Sequence, residues 1–422
     1  MRRLLPLMLS VLTLLLIACG SSDVDVVTLT GRAVLPADTF TDGPPVGSAL
    51  AAKINGRHPP FAAVPVQGFS SLVPGVDGTM LVLQDNGFGT RGNSPDVPLR
   101  WYRLRLHLDF PPHKGGRVEV LGHRDLHDPD RRITFPLQGG LPGRGLSGAD
   151  FDPESFVQLD EGTLWIGEEF GPYLLHVDAN GRLLDAPVPV PVPAPLREYA
   201  RGTVHLRTLD HPDLRSLEPH LAARRANLPA SGGLEGLART PGGDRLYAAV
   251  EKALLDDPQP LRRVILEFDP GRGVFTGRSW LHRVDMIGVS IASLEAVDAN
   301  VLLLVERDEK EGAAAAIKRI YRVDLRQVDS EGYLVKTLVA DLLDIADPDG
   351  FTVAEPEAVG LGSHYTFPYV TPECLAIVDR HTVIVACDNN YPFSAGRRPP
   401  ATPDDSEFIR LRLPQALSDR EH

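Results

Sequence analysis

The chain has 422 residues and a formal charge of −13, set by 56 acidic and 43 basic side chains. Such a surface repels nucleic acid and anionic lipid and attracts cations, so neither DNA nor RNA is expected as a partner. With 39 glycines and 38 prolines the composition favours short strands joined by turns over long helices.

Arg2 and Arg3 precede an apolar run, Leu4 to Ala18, that is too short to span a bilayer and has the make-up of a signal-peptide core. The run closes on Leu16-Ile17-Ala18-Cys19, which resembles the lipobox of bacterial lipoproteins, where the cysteine is acylated and becomes the mature N-terminus. Cleavage there removes two basic residues and no acid, moving the charge from −13 to −15. Residues 1–18 are therefore expected as a signal peptide, 19–45 as a lipidated, flexible tether beginning at Cys19, and 46–418 as an exported domain held to a membrane by its acyl chains alone.

Five short apolar runs then end in acids: Met80 to Asp85-Asn86, Leu164 to Glu168-Glu169, Leu246 to Glu251, Val301 to Glu306-Arg307-Asp308, and Thr382 to Asp388-Asn389-Asn390. A carboxylate where a buried strand emerges is costly unless it meets solvent, a cation or a partner, so the five point to one shared polar site. Each run reads as the second strand of a hairpin. The turn at Asp160-Glu161-Gly162 sets Glu154 opposite Glu168, and the turn from Pro241 to Asp244 sets Glu235 opposite Glu251. A looser copy sets Glu295 opposite Leu303, and Gln67 to Ser71 leading to Asp85 lacks the first acid. In the last hairpin, pairing Val378 with Val383 places Cys374 opposite Cys387 and Glu373 opposite Asp388. An exported setting allows a Cys374–Cys387 disulfide; two buried thiols are the alternative.

Further strands are expected at Trp101–Leu108, Leu174–Val177, Arg263–Phe268, Ile320–Leu325 and Phe408–Leu413. The proline-rich stretch 187–195 reads as an extended connection, and Asp210–Asn227, with Leu214, Leu217 and Leu221 at helical spacing, as an inserted helix. Hairpins that recur, each followed by another strand pair, look like the blades of one all-β propeller of six or seven blades; paired β-sandwiches are the alternative.

Leu146-Ser-Gly-Ala-Asp-Phe-Asp-Pro-Glu-Ser-Phe156, Leu164-Trp-Ile-Gly-Glu-Glu-Phe-Gly-Pro-Tyr173, and Gly233-Leu-Glu-Gly-Leu-Ala238 with Leu246-Tyr-Ala-Ala-Val-Glu-Lys252 resemble the bacterial phytase-like family, also described as "esterase-like activity of phytase". Val305-Glu-Arg-Asp308 and Pro372-Glu373 through Asp388-Asn-Asn390 are similar to its later segments, so the resemblance runs over residues 60–415. Glu373-Cys374 departs from it where a Glu-Gly pair is expected. The resemblance implies an ester hydrolase, acting on phosphomonoesters of the phytate kind or on carboxyl esters.

In a propeller the strand-end acids converge on the mouth of the central channel, where they repel unless protonated or bridged by a cation. Donors that are all oxygen suit Ca²⁺, which would polarise an ester oxygen and activate water. Asp85, Asn86, Glu235, Glu306, Asp388 and Asn389 are the candidate ligands. Glu168, Glu169, Glu251 and Arg307 are the candidate catalytic groups, and Arg91, Arg144 and Lys252 the candidate substrate contacts. The expected partner is a small ester, and the protein a monomer. The rival reading is a non-catalytic propeller that binds a small ligand or a protein and uses the same cation structurally.

Other motifs carry less. Gly87-Phe-Gly89-Thr-Arg-Gly92 matches a dinucleotide fingerprint, but Asn93-Ser94-Pro95 follows instead of a helix, so it reads as a loop over the mouth. His123, His127 and Asp128 sit in a loop with no helix to align them on zinc. Gly145-Leu-Ser147-Gly148-Ala149 lacks the last glycine of a nucleophile elbow, which leaves a serine esterase without support.

Overall fold

The computed structural model describes residues 26–75, 77–108, 115–400 and 402–418. The expected signal peptide and Cys19 lie outside these residues. β1 (Thr28–Leu35) is followed by a short pair, β2 (Phe40–Thr41) and β3 (Val64–Pro65). A first blade holds β4 (Phe69–Pro74), β5 (Thr79–Gln84), β6 (Arg100–His107) and β7 (Gly116–Asp125). The second holds β8 (Pro153–Gln158), β9 (Leu164–Glu168), β10 (Tyr173–Val177) and the edge strand β11 (Val188–Pro189), the short ladder that the proline-rich stretch permits. Helix α1 (Pro219–Arg225) lies within the predicted helical segment. The third sheet is β12 (Leu234–Arg239), β13 (Leu246–Val250), β14 (Arg262–Asp269) and β15 (Val274–Arg283). The fourth is β16 (Val289–Ala296), β17 (Val301–Asp308), β18 (Lys318–Val328) and β19 (Leu334–Asp341). After the short strands β20 (Ile345–Ala346) and β21 (His364–Tyr365), the last blade forms from β22 (Thr371–Asp379), β23 (Thr382–Asp388) and β24 (Ser406–Arg412) with β1, which also pairs in parallel with β7 and so joins the last blade and the first in one ten-stranded sheet.

The inner strands β4, β8, β12, β16 and β22 stand side by side, and β22 packs back on β4, which closes a β-propeller. Among the described residues it has five blades, where six or seven were expected. The long connections 126–152, 190–233 and 342–370 carry turns, short helices and the single small pair β20–β21 in place of the hairpins that more blades require. Second strands read as continuous apolar runs because neighbouring blades cover both of their faces; β9 and β13 are buried along their whole length. The outer strands β7 and β15 are partly exposed.

The blade 5 hairpin corrects the cysteine expectation. A bulge at Glu373 shifts the register, so that Pro372 faces Cys387 and Cys374 faces Ala386. One residue of slip turns a side chain to the other face of a strand. Cys374 therefore joins the core beneath blade 1, Cys387 joins the core shared with blade 4, and both are free, buried thiols.

The tether expected over 19–45 does not hold for residues 28–45, because β1 is part of the propeller. It runs antiparallel to β24, with Thr28 opposite Arg412 and Leu35 opposite Ser406. Since β24 leaves the face where the inner strands begin, β1 enters the fold at the opposite face, the base. Glu407 locks this closure: it accepts from Arg32 Nε (2.8 Å) and Nη2 (2.9 Å), from Arg397 Nη2 (3.0 Å), and from the Tyr365 and Tyr369 hydroxyls. Burial pushes its carboxyl up, but Arg32 and Arg397 outweigh that and hold it below the ordinary carboxylate range. Glu407→Gln should cost about 3 kcal/mol in urea unfolding, the low end for removing one partner of a buried ion pair.

Candidate functional site

Every inner strand carries a β-bulge near its start, and the extra residue differs by blade. It is Ser70 in β4, Glu154 in β8, Glu235 in β12, Ala292 in β16 and Glu373 in β22. A bulge re-aims a side chain that would otherwise alternate along the strand, and in blades 2, 3 and 5 that side chain is a glutamate lining the channel mouth. A second ring comes from the far ends of the neighbouring strands. Asp85, Glu169 and Glu251 donate their backbone N–H to Gly68, Asp152 and Gly233, while Arg307 pairs with Ser290 and Asp388 with Thr371. Gly68 is in the left-handed region (φ +67°), and a Cβ there would lie 2.0 Å from Asp85 Oδ1, so this approach requires glycine.

The two rings enclose a cavity of about 280 Å³ at the mouth. Among the described residues Asp85, Asp152, Glu154, Glu169, Glu235, Glu251, Glu309, Glu373 and Asp388 line it, against Lys252 and Arg307 of opposite charge. Arg307 Nη2 lies 3.2 Å from Glu251, 3.4 Å from Glu373 and 3.6 Å from Glu235. Burial works against its charge, and these three carboxylates more than offset that. Lys252 sits nearer solvent, 3.3 Å from Glu251 and 3.6 Å from Glu309. Two cations leave most of the acids uncompensated.

That imbalance shows in their protonation. Burial, reinforced by neighbouring carboxylates, holds Asp85, Glu154, Glu169 and Glu235 well above the usual range. Burial pushes Asp152 up to about 7, Glu373 to about 8 and Asp388 to about 6. The donor set fits a hard cation. It is built of oxygens, and three trios, Asp152/Glu154/Glu169, Glu154/Glu235/Glu373 and Glu169/Glu235/Glu251, place their oxygens within 4.8 Å of one another. Glu169 Oε1 is buried without a hydrogen-bond partner, a cost that a cation would relieve.

A family model, "Phytase-like: Esterase-like activity of phytase", matches residues 64–391. The chain belongs to the phytase-like family. A relative of this phytase-like protein, an "Uncharacterized secreted protein" of Arthroderma benhamiae, is 27% identical over 233 residues, 46% of this chain and 44% of that one. The chain thus matches less than half the length of that relative. Among solved structures it is similar to the calcium-binding protein regucalcin of Agrobacterium tumefaciens, at 13% identity over 91% of this chain and 95% of that one, TM-score 0.34. It is also similar to the periplasmic gluconolactonase of Pseudomonas aeruginosa, at 14% identity over 90% and 98%, TM-score 0.32.

Of the residues nominated from sequence, the phytase-like propeller brings Asp85, Asn86, Glu169, Glu235, Glu251, Lys252, Arg307 and Asp388 to the mouth. Five others are placed elsewhere. Glu168 is one step from the ring and turns back to accept from the Phe170 and Gly171 N–H groups, at 2.9 and 2.8 Å. Glu306, likewise one step off, lies beside His282 Nε2 (2.7 Å) and Lys336 Nζ (2.5 Å). Asn389 donates to the Asp404 carbonyl. Arg91 pairs with Asp210 and Arg144 with Asp128, both away from the cavity. Asp152, Glu154, Glu309, Glu373 and Asn390 line the mouth without having been nominated. The triplet Asp152-Pro153-Glu154 was the available signal for two of them, since its proline starts the bulged strand.

Proposed function

We propose that the mouth is a Ca²⁺-assisted ester hydrolase site, on a protein exported and held to a bacterial membrane by acylated Cys19. The observation that carries this reading is the charge imbalance around an open cavity: nine carboxylates face two cationic side chains. An anionic ester is repelled by such a mouth and is drawn to it once a divalent cation lies between, which favours a phosphomonoester over a neutral carboxyl ester. Bound Ca²⁺ would polarise the ester oxygen and make a coordinated water more acidic. The chain's own groups do the rest. Lys252, at the solvent side, meets the anionic end of the substrate, and Asn86, which donates to both oxygens of Asp152 at 3.1 and 2.7 Å, holds that carboxylate in place. Asp388, steadied by the Asn390 N–H at 2.7 Å, is placed to take a proton from water. Export is supported by the N-terminal segment and by the relative described as secreted.

One observation favours the second reading, a binding propeller with a structural cation. Arg307 Nη2 already faces Glu235, Glu251 and Glu373, so that nitrogen is engaged before any anion arrives. The discriminating assay is hydrolysis of phosphomonoester, phytate and carboxyl-ester panels by metal-stripped protein before and after Ca²⁺ is returned. Phosphomonoester turnover that appears only with Ca²⁺ is the expected result. A protein that binds Ca²⁺ and turns over none of the panel is the binding module instead.

A further inference from the structure

Blade 4 breaks the pattern of the other four. Where they place Asp85, Glu169, Glu251 and Asp388 it places Arg307, and where blades 2, 3 and 5 bulge a glutamate it bulges Ala292. The Arg307 guanidinium extends to carboxylates of blades 3 and 5. Two of the three trios contain Glu235 together with Glu251 or Glu373, so each already holds two Arg307 contacts. The third, Asp152, Glu154 and Glu169, carries no ion pair among the described residues, is 3–9% exposed, and includes the unpartnered Glu169 Oε1.

We infer that the mouth takes one divalent cation, on Asp152, Glu154 and Glu169, and that Arg307 is a tethered counter-ion standing where a second would otherwise bind. The inference rests on the reading above that this mouth is a cation site, and it deepens that reading by dividing the mouth in two. On the blade 3 and 5 side the positive charge is organic: a guanidinium donates hydrogen bonds but offers no coordination position to a substrate oxygen. On the blade 2 side the charge is a metal with open positions, so an ester oxygen is directed there and the stoichiometry is one.

Calorimetric titration of metal-stripped protein with CaCl₂ tests this, using wild type, Glu169→Gln, Arg307→Gln and Arg307→Lys. Wild type should bind one Ca²⁺, and Glu169→Gln should bind it at least tenfold more weakly. Arg307→Gln should bind two, and Arg307→Lys, which keeps the charge, one. Two ions in wild type, undiminished affinity in Glu169→Gln, or a folded Arg307→Gln that still takes one, would each overturn the assignment. Should Arg307→Gln not fold, wild type and Glu169→Gln decide it between them. A folded wild type that binds no Ca²⁺ is a different outcome, since it removes the cation reading itself.

Discussion

In Ca²⁺-free buffer at pH 8, Arg307→Gln should lose about 5 kcal/mol of unfolding free energy, the upper end for stripping the partner from buried charges. Three carboxylates, Glu235, Glu251 and Glu373, then face one another with no guanidinium among them. The same substitution at pH 5 should cost less, because protonation relieves part of the repulsion. Adding Ca²⁺ at pH 8 should return most of the loss. Urea melts of both proteins at the two pH values, with and without Ca²⁺, provide the check; an equal cost at pH 5 and pH 8 would mean that Arg307 is held for packing and not for charge.

The second large effect is a pH dependence of stability that Ca²⁺ is expected to flatten or invert. Folded Glu373 is pushed up to about 8 and Asp152 to about 7, while in the unfolded chain both titrate in the ordinary range near 4. Between these limits the folded state binds more protons than the unfolded one, so stability falls as pH rises from about 4 to about 8. Each proton difference is worth ~1.4 kcal/mol per pH unit. With EDTA present, the melting temperature should therefore drop steadily from pH 5 to pH 8. Saturating Ca²⁺ replaces the protons and should flatten or invert the trend, with affinity rising over the same interval. A metal-free protein whose melting temperature does not change across this range would show that the acids are not buried as described.

How much of this was legible beforehand depends on the kind of feature. Apolar runs ending in acids identify second strands because neighbouring blades bury both faces of those strands, and the register setting Glu295 opposite Leu303 follows from turn position alone. What the reading lacked was the bulge. A single extra residue at Glu373 moves Cys374 off Cys387, and in the same way the bulges at Glu154 and Glu235 bring those acids into the channel. Choosing Glu169 over Glu168, or Arg307 over Glu306, requires knowing where the ladder ends, since adjacent residues point opposite ways. Blade number was illegible for a different reason: long connections and missing blades leave the same gap in a pattern of hairpins.

The closing strand also sets how the molecule stands. β1 begins at the base with Thr28, paired to the last residue of β24, while the acid rings open at the opposite face. An acylated Cys19 would precede Thr28 by nine residues, a leash of roughly 30 Å at full stretch. With Cys19 acylated as proposed, so short a leash attached at the base would seat the propeller on the bilayer with its mouth turned outward. In that arrangement esters dissolved in the surrounding fluid would reach the mouth directly, whereas the headgroups of an anchoring membrane would lie beneath the molecule and out of its reach.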